Sequence, residues 1–191
     1  MLFKEIIGQQ ELKERLINTV KKGRISHAQL FLGKSGYGSL PLAIAYAQYI
    51  SCTNKQENDS CGECSSCLKI NKLSHPDLHF SFPVSTNKSV KSKPQSDDFI
   101  EEWREINKEN PYFDLTDWHR KIQIEQKQSL INVTESQSII KKLSLKAYEA
   151  EFKILIVWKP EGLYVQASNK LLKQIEEPTD KTIILLVGEE E

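Results

Sequence analysis

Apolar residues recur along this chain with two different periods. In QQELKERLINTVKKG, Leu12, Leu16, Ile17 and Val20 share one helical face, and Gly23 stands where that helix would end. AQLFL, Ala28 to Leu32, predicts a short buried strand. Ser39 to Ile50 predicts a helix, with Pro41 in the first turn, where its missing N–H costs little. DLHFSFP is a second strand candidate. In DDFIEEWREINKEN, Phe99, Trp103 and Ile106 fall at helical spacing, and VTESQSIIKKLSL predicts a helix capped by Thr134 or Ser136. FKILIVW and KTIILLVG are apolar without alternation, as in parallel strands covered on both faces, and YVQASNKLLKQIEEP between them predicts a helix stopped by Pro178. NPYFDLTDWHRKI is rich in aromatic residues and shows no assignable period. Strands alternating with helices predict an α/β layered domain with a mainly parallel sheet.

Two stretches break this rhythm. Ser51 to Ser74 is polar and carries all four cysteines of the chain. Val84 to Asp98, VSTNKSVKSKPQSDD, has almost no apolar residues and predicts an exposed, mobile loop. The expected organisation is one domain over 1–191, with a module inserted at 51–75 and a second insertion at 83–128 whose start is flexible. A domain that ends on a central-looking strand is expected to be part of a longer protein.

Composition changes this picture little. The chain has 191 residues, 39% hydrophobic and 27% charged, with zero formal net charge, which is ordinary for a globular domain and unlike a free-standing nucleic-acid binder. No run reaches the about 18 apolar residues of a membrane span, and the N-terminus lacks a signal-peptide pattern, so a cytoplasmic location and no membrane contact are expected. In a reducing compartment four cysteines point to a metal or redox chemistry before disulfides.

Candidate chemistry begins with GKSGYGSL. A phosphate loop reads Gly, four residues, Gly, Lys, then Ser or Thr. Gly33 and Gly38 match the glycines, and Gly36 lies between them. Such glycines let backbone N–H groups turn toward an anion at a helix N-terminus. Ser39 stands where lysine would neutralise phosphate, and Leu40 where a hydroxyl would hold magnesium. Lys34 lies early in the loop, where some variants carry a second lysine besides the later one, and Tyr37 could plug the empty site, although a turn tyrosine is usually just exposed. A nucleotide hydrolase ends its third strand with Asp for magnesium and Glu for the attacking water. Here Trp158 and Lys159 occupy those places, and Glu161 comes too late. Four losses on an intact scaffold predict that ATP is neither bound nor hydrolysed, so the chain is not an enzyme by itself.

Cys52, Cys61, Cys64 and Cys67 follow the pattern C-x8-C-x2-C-x2-C. Four thiolates at this spacing can enclose one tetrahedral zinc and leave no open position. An iron–sulfur cluster would want a further cysteine where Asn71 stands. His75 could replace one ligand, although a His before Pro in a turn usually carries no metal.

Several other groups have bland readings. Trp103, Tyr112, Phe113 and Trp118 suit a core as well as base stacking. Lys88 to Lys93, Lys141 and Lys142 suit solvated faces, and Glu176 and Glu177 a helix end.

The combination resembles the AAA+ clamp-loader subunits of bacterial DNA polymerase III. IIGQQELKERL resembles the family's opening helix, RISHAQLFLG its approach to the loop, NKLLKQIEEP the helix after the acidic-pair strand, and the cysteine spacing its zinc module. The resemblance covers most of the chain apart from roughly 83–128. It implies an AAA+ type phosphate-loop NTPase-like fold with a structural Zn2+. The family's motor subunits, gamma and tau, keep the lysine and the acidic pair. The delta-prime branch has a degenerate loop and does not hydrolyse ATP, which is the closer match. That branch implies a stator that helps motor subunits and delta load the sliding clamp onto primed DNA during replication. It also implies an arginine offered from a Ser-Arg-Cys motif, and no such motif occurs in these 191 residues. Without the family's further domains the fragment is expected to be monomeric. The alternatives are a gamma/tau-like ATPase or ATP sensor with an atypical loop, and a zinc-containing interaction adaptor.

Overall fold

The computed structural model describes residues 1–189. Strands β1 (Ala28–Leu32), β2 (Leu78–Ser81), β3 (Lys153–Trp158) and β4 (Thr182–Gly188) pair in the order β1-β4-β3-β2, all parallel. Helices α1 (Gln10–Lys21), α2 (Ser39–Ser51), α3 (Ser65–Asn71), α4 (Ile100–Glu109), α5 (Leu115–Lys121), α6 (Val133–Ser144) and α7 (Val165–Glu176) surround the sheet. The period-2 geometry of a strand divides the central residues between two cores. Ile154, Ile156 and Trp158 of β3, with Ile183, Leu185 and Val187 of β4, join the larger core with α1, α2 and α4. Leu155, Val157 and Ile184 join a smaller one with Ile139, Leu143 and Leu171 of α6 and α7. Both faces are therefore covered, which is why β3 and β4 read as unbroken apolar runs.

Helix α2 is buried at every position from Leu40 to Ile50. Its residues are apolar nearly all round, and it lies inside the larger core. Pro41 sits in its first turn as expected.

Three expectations require correction. Strand β1 is at the sheet edge, and Leu30 and Leu32 are 49% and 46% exposed. An apolar run reports the neighbours a strand can accept, and its place in the sheet depends on the other strands. Leu12 is also exposed, because it lines with Leu30 and Leu32 an open cleft of about 560 Å3 between α1 and that edge. Helix α6 is capped by Asn132, whose side chain accepts a hydrogen bond from Glu135 N at 3.0 Å, so Thr134 and Ser136 lie inside the helix.

Within 83–128, the stretch expected to be exposed is pinned at both ends. Val84 is buried and exchanges backbone hydrogen bonds with Leu130. Ser96 is buried, its hydroxyl accepts from Phe82 N at 3.0 Å and its N–H donates to Glu135 at 2.8 Å. Lys88, Ser89 and residues 91–93 between them are exposed. The unassigned stretch NPYFDLTDWHRKI forms a turn and α5, capped by Asp114 accepting from Asp117 N at 2.8 Å.

Asp77, just before β2, is buried and fixes the loop that leads into β3. Its carboxylate accepts from the backbone N–H groups of Tyr148, Glu149 and Ala150 at 2.6, 2.8 and 2.8 Å. Burial raises this carboxyl, but the three amides outweigh it and hold it below the ordinary aspartate value. A depressed carboxyl stabilises the fold above its unfolded value, about 3.9, and that contribution is lost as pH falls through the folded value. Asp77→Asn is expected to cost about 1–3 kcal/mol at neutral pH and to flatten the acid limb of the stability curve, measured by urea unfolding from pH 7 to 2. An unchanged acid limb would remove Asp77 from this role.

Candidate functional site: a filled glycine loop and a four-cysteine centre

The loop between β1 and α2 has the cradle shape its glycines predict. Gly36 and Gly38 adopt φ +82° and +88°, which L side chains rarely adopt, and Gly38 caps α2 with backbone alone. Gly38 also permits a close approach, because a Cβ there would stand 3.1 Å from the Tyr112 ring. Ser39 begins α2, and Leu40 is buried in the core where a magnesium-holding hydroxyl would be needed. Lys34 is exposed.

The end of β3 faces this loop, so the sequence-predicted positions do come together. Trp158 points into the larger core, with its ring 5.4 Å from that of Trp103 and 5.1 Å from that of Phe113. Lys159 follows it, with its ammonium 5.9 Å from the centroid of the Trp158 ring. Its Nζ lies 2.7 Å from Glu189 Oε1, 3.4 Å from Ser35 Oγ and 3.7 Å from Glu161 Oε1, and its side chain is 8% exposed. Ser35 Oγ also donates to Glu189. Burial pushes the Glu189 carboxyl up, but hydrogen bonds from Lys159 and Ser35 prevail and leave it below the usual glutamate value.

Tyr37 is 63% exposed, as a turn tyrosine usually is, and does not plug the loop. Tyr112 does so instead. It packs on Gly38, and its hydroxyl accepts from Ile7 N at 3.0 Å. Pro111, Tyr112, Phe113, Trp158, Lys159 and Glu189 close over the glycines and leave a cavity of about 30 Å3. Sequence reasoning missed Tyr112, Ser35 and Glu189. The one available signal was Asn110–Pro111, a turn placing two aromatic residues beside it.

Cys52 caps the C-terminus of α2, Cys61 lies in the loop that follows, Cys64 caps the start of α3 and Cys67 lies in its first turn. Their sulfurs all fall within 4.8 Å of one another. Cys52–Cys61, Cys61–Cys67 and Cys64–Cys52 separations are 3.6, 3.9 and 4.0 Å. A tetrahedron with metal–sulfur bonds of about 2.3 Å has edges of about 3.8 Å, so the set fits one four-coordinate metal. Backbone N–H groups of Cys61 and Cys64 point at Cys52 Sγ and Cys61 Sγ, 3.4 and 3.3 Å away. Burial raises Cys52 and Cys67. Burial also works against Cys64, but hydrogen bonds from Thr53 and Cys67 bring it down to about 6. Gathering such thiolates without a cation is unfavourable, so this donor set suits a metal ion. His75 stands apart from the four. It is buried, its Nδ1 accepts from Asp77 N at 3.1 Å, and Nε2 lies 3.2 Å from Glu149 but off a good hydrogen-bond line.

The remaining candidates fall to their bland readings. Trp103, Phe113 and Trp118 are core residues, and Lys142 pairs with Asp97 at 2.6 Å. Lys141, Glu176 and Glu177 are exposed.

The family description "DNA polymerase III, delta subunit" matches residues 8–191. The chain belongs to this family. The subunit delta' of Bacillus subtilis (strain 168) is 27% identical over 182 residues, which is 95% of this chain and 42% of that protein. The subunit delta' of Yersinia pestis is 28% identical over 174 residues, 90% of this chain and 38% of its own length. The subunit tau of Bacillus subtilis is 22% identical over 188 residues, 98% of this chain and 26% of its own length. The chain thus spans less than half the length of these relatives. The crystal structure of a DNA polymerase III gamma subunit-related protein from Thermotoga maritima matches 93% of this chain and 39% of that one, with a TM-score of 0.50 at 15% identity. That likeness shows the fold, an α/β layered domain with a parallel sheet, as expected. Membership in the DNA polymerase III delta family makes this a delta'-like clamp-loader chain, as the resemblance implied. Among the described residues no helix is long and apolar enough to cross a membrane.

Proposed function

We propose that this chain is the loop-bearing domain of a non-hydrolysing stator subunit of the DNA polymerase III clamp loader. In the whole protein it stands beside gamma/tau motor subunits and delta, and through that complex it helps place the sliding clamp on primed DNA. The carrying observation is the filled loop. Between the loop and the ends of β3 and β4 only about 30 Å3 is left, too little for a triphosphate, and the open cleft of about 560 Å3 reaches the loop from the α1 side alone, at Gly33, Tyr37, Gly38 and Ser39. Leu40 offers no magnesium ligand, Lys159 repels the ion, and Trp158 is committed to the core. Gly33, Gly36 and Gly38 then serve the shape of the β1–α2 turn. Cys52, Cys61, Cys64 and Cys67 hold a structural zinc that fixes α3 against α2.

The test is a calorimetric titration of the metal-replete intact protein with magnesium–ATP, beside the variant Ser39→Lys, Leu40→Thr. No saturable heat is expected from the natural sequence. No metal-dependent turnover is expected from the variant, because Trp158 and Lys159 still occupy the ends that hydrolysis needs. Saturable binding by the natural sequence, or turnover by the variant, would overturn the stator reading and favour a gamma/tau-like ATPase.

A further inference from the structure

A glycine loop at a helix N-terminus concentrates backbone N–H dipoles and is electrostatically incomplete without an anion. In this chain a charged pair meets it. Gly33 N donates to Gly188 O at 3.1 Å, so the β1–β4 pairing itself delivers the next residue, Glu189, to the loop. There the carboxylate takes a hydrogen bond from the Ser35 hydroxyl. Lys159 reaches it from β3 at 2.7 Å, almost wholly buried. Lys159 is also held at φ 57°, ψ 58°, a left-handed conformation that disfavours a residue with a Cβ. The backbone bends into this region in the conformation that brings the ammonium to the loop. Glu161 Oε1 is the second carboxylate near this ammonium, at 3.7 Å, so Glu189 is the nearer of its two partners and Lys159 keeps one when Glu189 is removed.

We infer that Glu189 is the resident anion of the glycine loop: its carboxylate holds the place of an exogenous phosphate, with Lys159 as counter-ion. The loop is a self-liganded oxyanion site. Withdrawing the carboxylate frees it for a small inorganic oxyanion, phosphate or sulfate, held by the Ser35 hydroxyl and Lys159. This rests on the proposed non-hydrolysing loop and explains how such a loop keeps its shape with no nucleotide. The polarity of the usual arrangement is rearranged, with the cation coming from the end of β3 and the anion from the end of β4.

The experiment titrates inorganic phosphate into the intact protein, its Glu189→Ala variant and the Glu189→Ala, Lys159→Met double variant, followed by calorimetry and by the Ser35 amide resonance. Glu189→Ala is expected to bind phosphate at least about tenfold more tightly than the natural sequence, and the added Lys159→Met to cancel the gain. Equal binding by the natural protein and Glu189→Ala, or none by a folded Glu189→Ala, overturns the inference. So does a gain that survives loss of Lys159. If Glu189→Ala does not fold, Glu189→Gln is read instead. It keeps the volume and removes the charge, and a gain of about threefold is expected; no gain there overturns the inference equally. Magnesium–ATP is titrated into the natural sequence in parallel. Binding there defeats the stator reading, whereas silence there with no phosphate gain in the variants defeats only the role of Glu189.

Discussion

Chelation of the metal from the intact protein is expected to unfold the backbone from Cys52 to Ser65 while strands β1, β3 and β4 keep their amide protection. In a segment with little apolar material, metal-binding free energy is folding free energy, on the order of 10 kcal/mol for a structural zinc. The tertiary structure adds where the damage should spread. Asp59, inside the cysteine segment, accepts from Phe3 N and Lys4 N at 3.0 Å each, and Gln48 of α2 donates to Ser60 at 2.9 Å. The first residues and the last turn of α2 should therefore lose protection with the knuckle. Helix α3 should survive in part, because Ile70 and Leu73 belong to the main core. Hydrogen exchange with and without chelator, with elemental analysis for one zinc per chain, checks this. Protection unchanged on metal removal, or no metal in the purified protein, would overturn it. Collapse of the central strands would make the metal integral to the whole domain.

Trp103→Ala is expected to lower stability by about 3–5 kcal/mol, the largest effect of any single core substitution here. Trp103 is fully buried at the centre of an aromatic group. It stacks on Phe82 at 4.1 Å and meets Phe113 and Trp118 edge-on at 5.4 and 5.3 Å, with Phe80 and Trp158 beside it. Removing the indole leaves a cavity that rings fixed by each other cannot collapse into. The ring's N–H has no partner among the described residues, whereas Trp118 Nε1 donates to Pro83 O at 2.8 Å. Trp103→Phe should therefore cost less than Trp118→Phe, which strands a buried carbonyl. Urea unfolding of the three variants decides the ranking. A Trp103→Ala loss below about 1 kcal/mol would mean that this aromatic group does not organise the core.

Local signals in the chain carried much of the architecture. The non-alternating runs of β3 and β4 required two covered faces, and they have them. The cysteine spacing announced a four-sulfur centre, and the sulfurs stand within reach of one ion. Gly33, Gly36 and Gly38 announced a turn built for close backbone approach. Each of these rests on short-range chemistry: a strand's period, a knuckle's span, a φ that only glycine adopts freely.

What escaped the sequence was long-range. Helix α5 has seven residues, too few to show a helical period, so NPYFDLTDWHRKI gave aromatic content without geometry. Leu30 and Leu32 look like core residues until the strand order places β1 at an edge. Tyr37 was the nearer candidate for the loop, yet Tyr112, 105 positions along the chain from Ile7, is the residue that bridges Ile7 and Gly38. Glu189 reaches the loop only because β4 lies beside β1. The sequence by itself predicted that the lysine, the hydroxyl and the acidic pair of a nucleotide site are replaced, because those are identities at fixed spacing. Only the tertiary structure decided what stands in their place, because filling a cavity depends on side chains that meet through strand pairing and core packing, which no local spacing encodes.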